Sequence, residues 1–191
     1  PARRQGYLTD AVLHSYWGTD YEASYARLSA LVDAVLDDVL CYDGAAAGTS
    51  YFAISNGRTE ASENVWGSAL PYLVPVDSST DLSADNYEVT ISLSDAQVQQ
   101  FLLSGLGIAS DLSAPESWFG EPTLTASGYV ASLPVCGQTV SGTAFRRALG
   151  LRSACFTLQY QDGSFLIRTR GYGHGVGLSQ WGAKALAEQG W

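Results

Sequence analysis

The residues best suited to chemistry lie in a glycine-rich stretch at residues 170–183. It reads RGYGHGVGLSQWGA and sets one His, one Ser, one Gln and one Trp among five glycines. Glycine at every second position leaves one side of an extended segment bare, so that a ligand or a second backbone can lie against it. Tyr172, His174 and Val176 would then project to the opposite side. The alternative for His174 is a buried, hydrogen-bonded core residue in a glycine-rich turn.

The same stretch ends in the signals that begin a helix. Ser179 is a suitable N-cap for a helix that contains the run AKALAEQ, and Gly190 is a suitable C-terminal stop. A dinucleotide-binding loop is excluded, because the GxGxxG spacing between a first strand and its helix is missing. The sequence therefore predicts a strand or loop that leads directly into a helix.

A second polar group follows two predicted strands, at residues 39–42 and 49–54, that form a hairpin. Residues 55–67 read SNGRTEASENVWG, and loops that follow rigid strands commonly hold functional side chains. Thr59 and Glu60 are therefore candidates for a site. By residue type alone, the segment is more typical of a solvated turn that caps a helix.

The composition excludes several classes of function. The chain has 191 residues and a net charge of −9, which disfavours binding to nucleic acid or to an anionic membrane. The sequence has no apolar run of the about 18 residues that a transmembrane helix needs. Five Trp and eleven Tyr suit an aromatic-lined groove on which sugar rings stack.

The three cysteines, Cys41, Cys136 and Cys155, match no CxxC or zinc-ribbon spacing. Cys136 and Cys155 would bridge if they lie on neighbouring strands in an oxidising compartment, and free buried thiols are the alternative. A cysteine peptidase that uses either of them with His174 is a rival hypothesis. Neither Cys sits at a helix start that would activate its thiol, which weakens that hypothesis.

The other elements follow from periodicity and turn chemistry. Apolar residues at helical spacing over residues 21–37 predict a helix with one face in the core. A helix over residues 95–103 has Ser94 as its N-cap, and the pair Asp162 and Gly163 predicts a hairpin turn. The sequence thus predicts the α+β class, mostly antiparallel strands with about three helices around a substrate groove.

Three ordered groups of motifs resemble the SpoIID/LytB family, the stage II sporulation protein D type of peptidoglycan lytic transglycosylase. They are SNGRTE, VWG and LPYL within residues 55–73, SGTAFRRALGLRSACF at residues 141–156, and GYGHGVGLSQWGA at residues 171–183. The resemblance runs from about Gln5 to Gly190, so residues 1–191 are identified as one such domain, and residues 77–122 look like scaffold or an inserted subdomain.

The resemblance implies an activity. Such domains cut peptidoglycan between N-acetylmuramic acid and N-acetylglucosamine without adding water, leave a 1,6-anhydro end, and prefer strands stripped of stem peptides. The reaction needs one carboxylic acid that protonates the glycosidic oxygen and then takes the proton of the C6 hydroxyl. The family's acid is a Glu in a segment of the type EALKAQAVAART, which is expected upstream of Gln5 and is not matched by residues 1–4.

In the family, a Cys precedes the residue that matches Gln5, and in this sequence Arg4 stands in its place. The ligands of a structural zinc reported in some relatives are therefore not visible in the sequence. We predict no metal site and no cofactor.

The resemblance and the residue types together suggest roles. Glu60 is the best-placed remaining carboxylate, and His174 would orient a polar group or support developing charge, so these two are the catalytic candidates. Arg146 and Arg152 match the family's arginines and are more typical of structural residues than of substrate clamps. Sugar hydroxyls, acetamido groups and rings would contact a substrate-binding set: Ser55, Thr59, Trp66, Tyr72, Ser179, Gln180 and Trp181.

We expect residues 55–60, 66–72 and 172–181 to converge on one sugar-sized trough. The expected partners are peptidoglycan glycan strands and other cell-wall hydrolases, in an extracytoplasmic setting reached through an N-terminal segment absent from these 191 residues. The alternative is a non-catalytic module that binds cell-wall glycan or activates an amidase. Binding of purified glycan without digestion would favour that alternative.

Overall fold

The computed structural model describes residues 8–191, and the expectations for Arg4 and Gln5 lie outside them. The chain divides into two compact units, Pro1–Ala47 and Gly48–Trp191. The predicted α+β class is confirmed, and the strands pair mostly antiparallel. Residues 8–191 contain six α-helical segments rather than about three. Three of them have only five to eight residues, too few to show a helical period in the sequence.

The first unit holds helix α1 (Asp10–Trp17), helix α2 (Tyr21–Asp33) and a hairpin of strands β1 (Cys41–Tyr42) and β2 (Ala45–Ala46). The prediction that one face of a 21–37 helix packs in the core is wrong. Helix α2 ends at Asp33, and its large apolar residues after Tyr21 are exposed, with Leu31 at 60%. The apolar spacing is helical, but the described elements of this unit are too few to cover that face.

The second unit contains eight strands and four α-helices. In chain order they are β3 (Tyr51–Phe52), α3 (Ser62–Trp66), β4 (Glu88–Ser94), α4 (Asp95–Leu106), β5 (Thr123–Leu124), β6 (Val130–Val135), β7 (Gln138–Ser141), α5 (Gly142–Ala148), β8 (Phe156–Gln161), β9 (Ser164–Arg170), β10 (Leu178–Ser179) and α6 (Gln180–Glu188). Short 3₁₀ helices lie at Ser79–Ser83 and Pro115–Ser117.

Two three-stranded antiparallel sheets form the framework, in the orders β4-β9-β8 and β5-β6-β7. Strands β8 and β9 form the predicted hairpin, in which Gln161 pairs with Ser164. Asp162 and Gly163 have φ of 51° and 74°, which suits a two-residue turn of the type that matches strand twist. Strand β9 then leads directly into the glycine-rich stretch, as predicted.

The predicted hairpin of residues 39–42 with residues 49–54 is wrong. Cys41 pairs instead with Ala46 across a turn at Asp43 and Gly44. Strand β3 pairs in parallel with β10, far along the chain. The Asp-Gly turn favours a hairpin between the residues immediately on either side of it, so β3 is not part of that hairpin and pairs with a distant strand.

The main core of the second unit lies between the sheets and helices α4 and α5. Ser94 caps α4 as predicted, in a capping box with Gln97. Val98 and Leu102 of α4 are buried with Phe145 of α5, and with Ile167 of β9. Elements β4 and α4 fall within residues 77–122, whose status as an inserted subdomain stays a prediction. Among residues 8–191, no helix is both long and apolar enough to cross a membrane.

Candidate functional site

The glycine-rich stretch forms a turning loop rather than an extended strand. Its four glycines between residues 171 and 177 have φ from +76° to +125°, a region that other residues rarely adopt. A Cβ added to Gly173 would lie 2.6 Å from the Cβ of Phe52, and one added to Gly175 would lie 2.7 Å from the Tyr129 hydroxyl. The predicted bare side of the stretch is therefore packed against protein atoms.

Backbone hydrogen bonds join this loop to the end of strand β3. The Tyr172 N–H donates to Ile54 O at 2.7 Å, and the Ile54 N–H donates to Tyr172 O at 3.0 Å. Val176 is fully buried, whereas Tyr172 is exposed and His174 is half-buried. The loop thus presents Tyr172 and His174 to the surface of the second unit.

His174 is held through both ring nitrogens. Its Nδ1 accepts the Val176 N–H at 3.1 Å, so the proton of the neutral ring resides on Nε2. Nε2 lies 3.5 Å from Ser50 Oγ, at the outer limit of a hydrogen bond. The ring packs against Trp66 and Phe52, with centroids 5.3 and 5.8 Å apart. His174 is therefore an oriented N–H donor and not a sealed core residue.

His174 lines an open cleft of about 520 Å³, within the size range of ligand sites in proteins. Trp66, at the end of helix α3, and Tyr172 also line it, and they are 43% and 49% exposed. Parts of two of the three expected polar groups, residues 66–72 and 172–181, thus meet in one place. Flat, exposed aromatic faces beside a polar donor suit the binding of a sugar ring.

Arginines form the other wall of this cleft: Arg146, Arg147 and Arg152. The Arg146 Nε donates to Leu151 O at 3.2 Å, and the Arg152 Nη1 donates to Asn86 O at 2.7 Å. These bonds agree with the structural role that the sequence favoured. The sequence did not predict that the same arginines border the His174 cleft, because only the tertiary fold brings α5 beside the glycine-rich loop.

Glu60 lies in the interior of the second unit, 1% exposed. Its Oε1 accepts the Ala61 N–H at 2.8 Å and the Asn64 Nδ2–H at 2.9 Å, and its Oε2 accepts the Thr125 hydroxyl at 2.5 Å. Its own N–H donates to Gly175 O at 2.7 Å. Glu60 therefore fixes the start of α3 relative to the glycine-rich loop, and its catalytic role stays a prediction.

Two of the predicted binding residues near Glu60 use their polar groups internally. The Thr59 hydroxyl donates to Val74 O at 3.2 Å and accepts the Val76 N–H at 2.8 Å, and the residue is 2% exposed. Ser55 is fully buried, and its hydroxyl accepts the Gly57 N–H at 3.0 Å. The structure thus places both residues within the framework, and neither lines the cleft.

A buried carboxylate that the sequence analysis missed connects three segments. Asp81, fully buried in the 3₁₀ helix, accepts the Ser55 N–H at 2.6 Å, the Ser78 hydroxyl at 3.1 Å and the Ser179 hydroxyl at 2.9 Å. Ser179 also accepts the Gly182 N–H at 3.2 Å as the predicted N-cap of α6. The Ser- and Asp-rich composition around Asp81 indicated a loop and gave no sign of burial.

The remaining predicted binding residues are not among those that line the cleft. The Tyr72 hydroxyl accepts the Gly48 N–H at 3.0 Å. Gln180 is exposed at the first position of α6, and Trp181 packs under the Lys184 ammonium, 4.7 Å from the ring centroid. A role in substrate binding for these three residues stays a prediction.

The cysteines offer little to a peptidase mechanism. All three are free thiols. Burial raises the pKa of Cys155 and of Cys136 above the ordinary range, which favours the unreactive thiol. The Cys155 Sγ accepts the Asn56 Nδ2–H at 3.5 Å, so an amide rather than an imidazole faces it. Cys155 lines a second cavity, which does not include His174.

Within residues 8–191, no three His, Cys, Asp or Glu side chains come together as a metal site. Nor does any Asp or Glu of these residues line the His174 cleft. The expectation that the chain needs no cofactor stays a prediction. The cleft of the described chain is therefore cationic and aromatic, with one oriented imidazole.

Known proteins are similar in sequence to most of this chain. No protein-family model matches the chain. The chain is 36% identical to the Stage II sporulation protein D of Bacillus subtilis (strain 168), over 97% of the chain and 52% of that protein. The identity and both shares are the same for the Stage II sporulation protein D of Bacillus amyloliquefaciens. The amidase enhancer of Bacillus subtilis (strain 168) is 25% identical over 83% of the chain and 29% of that protein. The chain thus spans about half the length of the two sporulation proteins.

Proposed function

Because the chain belongs to the SpoIID/LytB family, we propose that it acts on the glycan strands of the bacterial cell wall, as a domain of a lytic transglycosylase. One observation carries the proposal for this molecule. An oriented His174 lies beside the exposed aromatic faces of Trp66 and Tyr172 in an open cleft. Such a cleft can stack a sugar ring and donate a hydrogen bond to one of its oxygens.

The reaction that we propose needs no water as a reactant. A carboxylic acid protonates the glycosidic oxygen, the bond from C1 of N-acetylmuramic acid to that oxygen breaks, and its electron pair stays with the leaving sugar. The C6 hydroxyl oxygen of the same muramic acid then bonds to C1, and its proton passes to the carboxylate. The products are a 1,6-anhydro end and a new hydroxyl on the released sugar.

The acid of this reaction would come from a Glu upstream of residue 1 in a longer protein, as the family resemblance implies. Glu60 is the best carboxylate of the described chain by sequence, but both its oxygens bind internal donors and its side chain does not line the His174 cleft. We therefore assign Glu60 to positioning. Through Asn64 and Ala61 it holds the first turn of α3, the helix that ends at Trp66.

His174 would act as a donor toward the substrate. The Val176 N–H occupies Nδ1, so Nε2–H is the hydrogen-bond donor of the ring. Its contact with Ser50 is at the outer limit of a hydrogen bond, and a substrate oxygen would take the place of Ser50. A donor in this place would support negative charge that develops on an oxygen in the transition state.

The test uses the full-length protein and purified glycan strands without stem peptides, with the products identified by mass spectrometry. We expect 1,6-anhydro ends from the wild type and a decrease of about 100-fold in their rate of formation for His174→Gln. His14→Gln, which removes the other histidine of the chain, is the matched control and should keep the wild-type rate. Reducing ends in place of anhydro ends would show a hydrolase and would refute the proposed reaction.

A second candidate is a glycan-binding module that enhances an amidase, and the similarity to the amidase enhancer favours it. Co-sedimentation of the full-length protein with insoluble peptidoglycan, without release of any product, would support this function over the first. Both candidates place the protein outside the cytoplasm, at the cell wall. Protease accessibility of the protein in intact cells would test that location.

A further inference from the structure

The cationic wall of the cleft lacks acidic partners. Among residues 8–191 the ion pairs are Arg168 with Glu88, Arg170 with Glu88, and Lys184 with Glu188. None of them includes Arg146, Arg147 or Arg152. This is unexpected in a chain with 19 Asp and Glu against 10 Lys and Arg, since acidic residues are abundant.

Most hydrogen-bond donors of these arginines have no acceptor in the described chain. A guanidinium has five N–H donors in a fixed plane. Arg146 donates its Nε–H to Leu151 O, and Arg152 donates from one nitrogen to Asn86 O. The Arg152 Cζ lies 4.6 Å from the centroid of the Tyr172 ring. Arg147 is exposed, and its side chain makes no hydrogen bond or ion pair with residues 8–191.

The electrostatic surroundings of the cluster include no carboxylate of residues 8–191. Partial burial lowers the pKa of Arg146, Tyr172 opposes this change, and the charge of the neighbouring Arg147 adds to it. Cations in the last turn of α5 interact favourably with the helix C-terminus, which accounts for Arg146 and Arg147. It does not account for Arg152, which lies beyond the helix and faces the same cleft.

We propose that Arg146, Arg147 and Arg152 form an anion subsite that takes the carboxylate of an acidic sugar whose ring stacks in the His174 cleft. Arginine planes match a carboxylate with two parallel hydrogen bonds. The whole chain has a net charge of −9, which repels a continuous polyanion, so isolated carboxylates spaced along a largely neutral polymer fit better. The subsite rests on the proposed function, which supplies such a polymer. In peptidoglycan, the carboxylate is the lactyl group of a muramic acid that bears no stem peptide.

The experiment compares two glycans that differ in this group alone. One is a fluorescently end-labelled glycan strand without stem peptides, and the other is the same strand with its lactyl carboxylates reduced to alcohols. Binding to the full-length protein is measured by fluorescence anisotropy at physiological salt and low temperature. The principal variant is Arg147→Gln, because the Arg147 side chain makes no hydrogen bond or ion pair within residues 8–191 that the substitution would break. Arg168→Gln removes an equal charge outside the cleft and is the matched control.

We expect the wild type and Arg168→Gln to bind the carboxylated strand about 10- to 100-fold more tightly than the reduced strand, the value of one strong charge-assisted contact. In Arg147→Gln, the ratio of the two affinities should be about tenfold smaller than in the wild type, and the affinity for the reduced strand should be unchanged. Equal wild-type affinity for the two strands would overturn the subsite while leaving the glycan function intact. So would an Arg147→Gln variant that keeps the full preference.

Two further outcomes distinguish a failure of the proposed function from a failure of the anion subsite. If the wild type binds neither strand, both the proposed function and the subsite are wrong. If inorganic phosphate displaces the carboxylated strand as effectively as free N-acetylmuramic acid does, the arginines hold any small anion and the assignment to a sugar carboxylate is overturned. Displacement by N-acetylmuramic acid but not by N-acetylglucosamine supports the assignment, since the two sugars differ in the lactyl group.

Discussion

The buried carboxylate of Asp81 provides a sharp test of how the site is supported. It accepts hydrogen bonds from the Ser55 N–H and from the hydroxyls of Ser78 and Ser179, so it joins the end of β3 to the start of α6. The two chain segments it joins flank the glycine-rich loop that carries His174. Asp81→Ala removes all three acceptor contacts from a fully buried position.

The loss of unfolding free energy in Asp81→Ala depends on whether each hydrogen-bond donor can find another acceptor. The Ser179 hydroxyl lies 3.4 Å from Ala53 O and can turn to it, but the Ser55 N–H has no other acceptor in the described chain. An unsatisfied buried donor costs about 1–3 kcal/mol, and bonds to a charged acceptor contribute about 1.5–3 kcal/mol each. We therefore expect Asp81→Ala to lower the free energy of unfolding by about 3–5 kcal/mol.

Urea denaturation monitored by tryptophan fluorescence measures this change, with Asp77→Ala as the control. Asp77 is an exposed carboxylate nearby that binds only Ser79, so its loss should cost about 0.5 kcal/mol. Asp81→Asn keeps one acceptor oxygen and should fall between the two. If Asp81→Ala unfolds within about 1 kcal/mol of Asp77→Ala, the carboxylate does not hold these segments together and the reasoning is wrong.

Other predictions concern the loop and the buried titratable groups. Gly175 has φ +83°, and a new Cβ there would lie against Tyr129, so Gly175→Ala should lower the free energy of unfolding by about 2–4 kcal/mol. Gly163 has open space around it, so Gly163→Ala should lower the free energy of unfolding by only about 1 kcal/mol. Equal losses in urea denaturation would contradict the packing argument. Burial raises the pKa of Tyr129, so its contribution to stability is complete below about pH 10, the ordinary tyrosine pKa, and is lost as the pH rises above it. Tyr129→Phe should therefore show a smaller alkaline decline in unfolding free energy than the wild type, and an unchanged decline would refute the assignment. Burial also raises the pKa of Cys155, so iodoacetamide at pH 8 should modify exposed Cys41 at least tenfold faster, as peptide mass spectrometry would show, and comparable rates would mean that Cys155 is accessible.

Local signals in the sequence predicted local structure well. Asp162 and Gly163 form the expected hairpin turn, and Ser94 and Ser179 cap the helices that follow them. Each of these features depends on a few neighbouring residues, whose backbone preferences and short hydrogen bonds can be read without knowledge of the rest of the fold. The family resemblance also depends on contiguous strings, and the comparisons confirm it.

Burial was the property that the sequence could not supply. The apolar face of α2 has a helical period and is nevertheless exposed, while the polar residues Thr59 and Asp81 are in the interior. Whether a side chain is covered depends on segments far away in the sequence, and a polar side chain becomes a framework element only when distant backbone groups pair with it. The arginines of the cleft show the same limit for position. The sequence analysis identified Arg146 and Arg152, but it did not predict that they share a cleft with His174.

The parallel pairing of β3 with β10 bears on when the cleft can form. Ser50 and His174 meet although they are 124 positions apart, and the strands beside them, Tyr51–Phe52 and Leu178–Ser179, pair directly. Contacts between such distant segments are slow to form, because the intervening chain loses its freedom before the contact is made. A nascent chain on the ribosome can fold the β8–β9 hairpin as it emerges, but it cannot complete the β3–β10 pairing until β10 has left the exit tunnel. The β3–β10 pairing beside the cleft should therefore form after the β8–β9 hairpin.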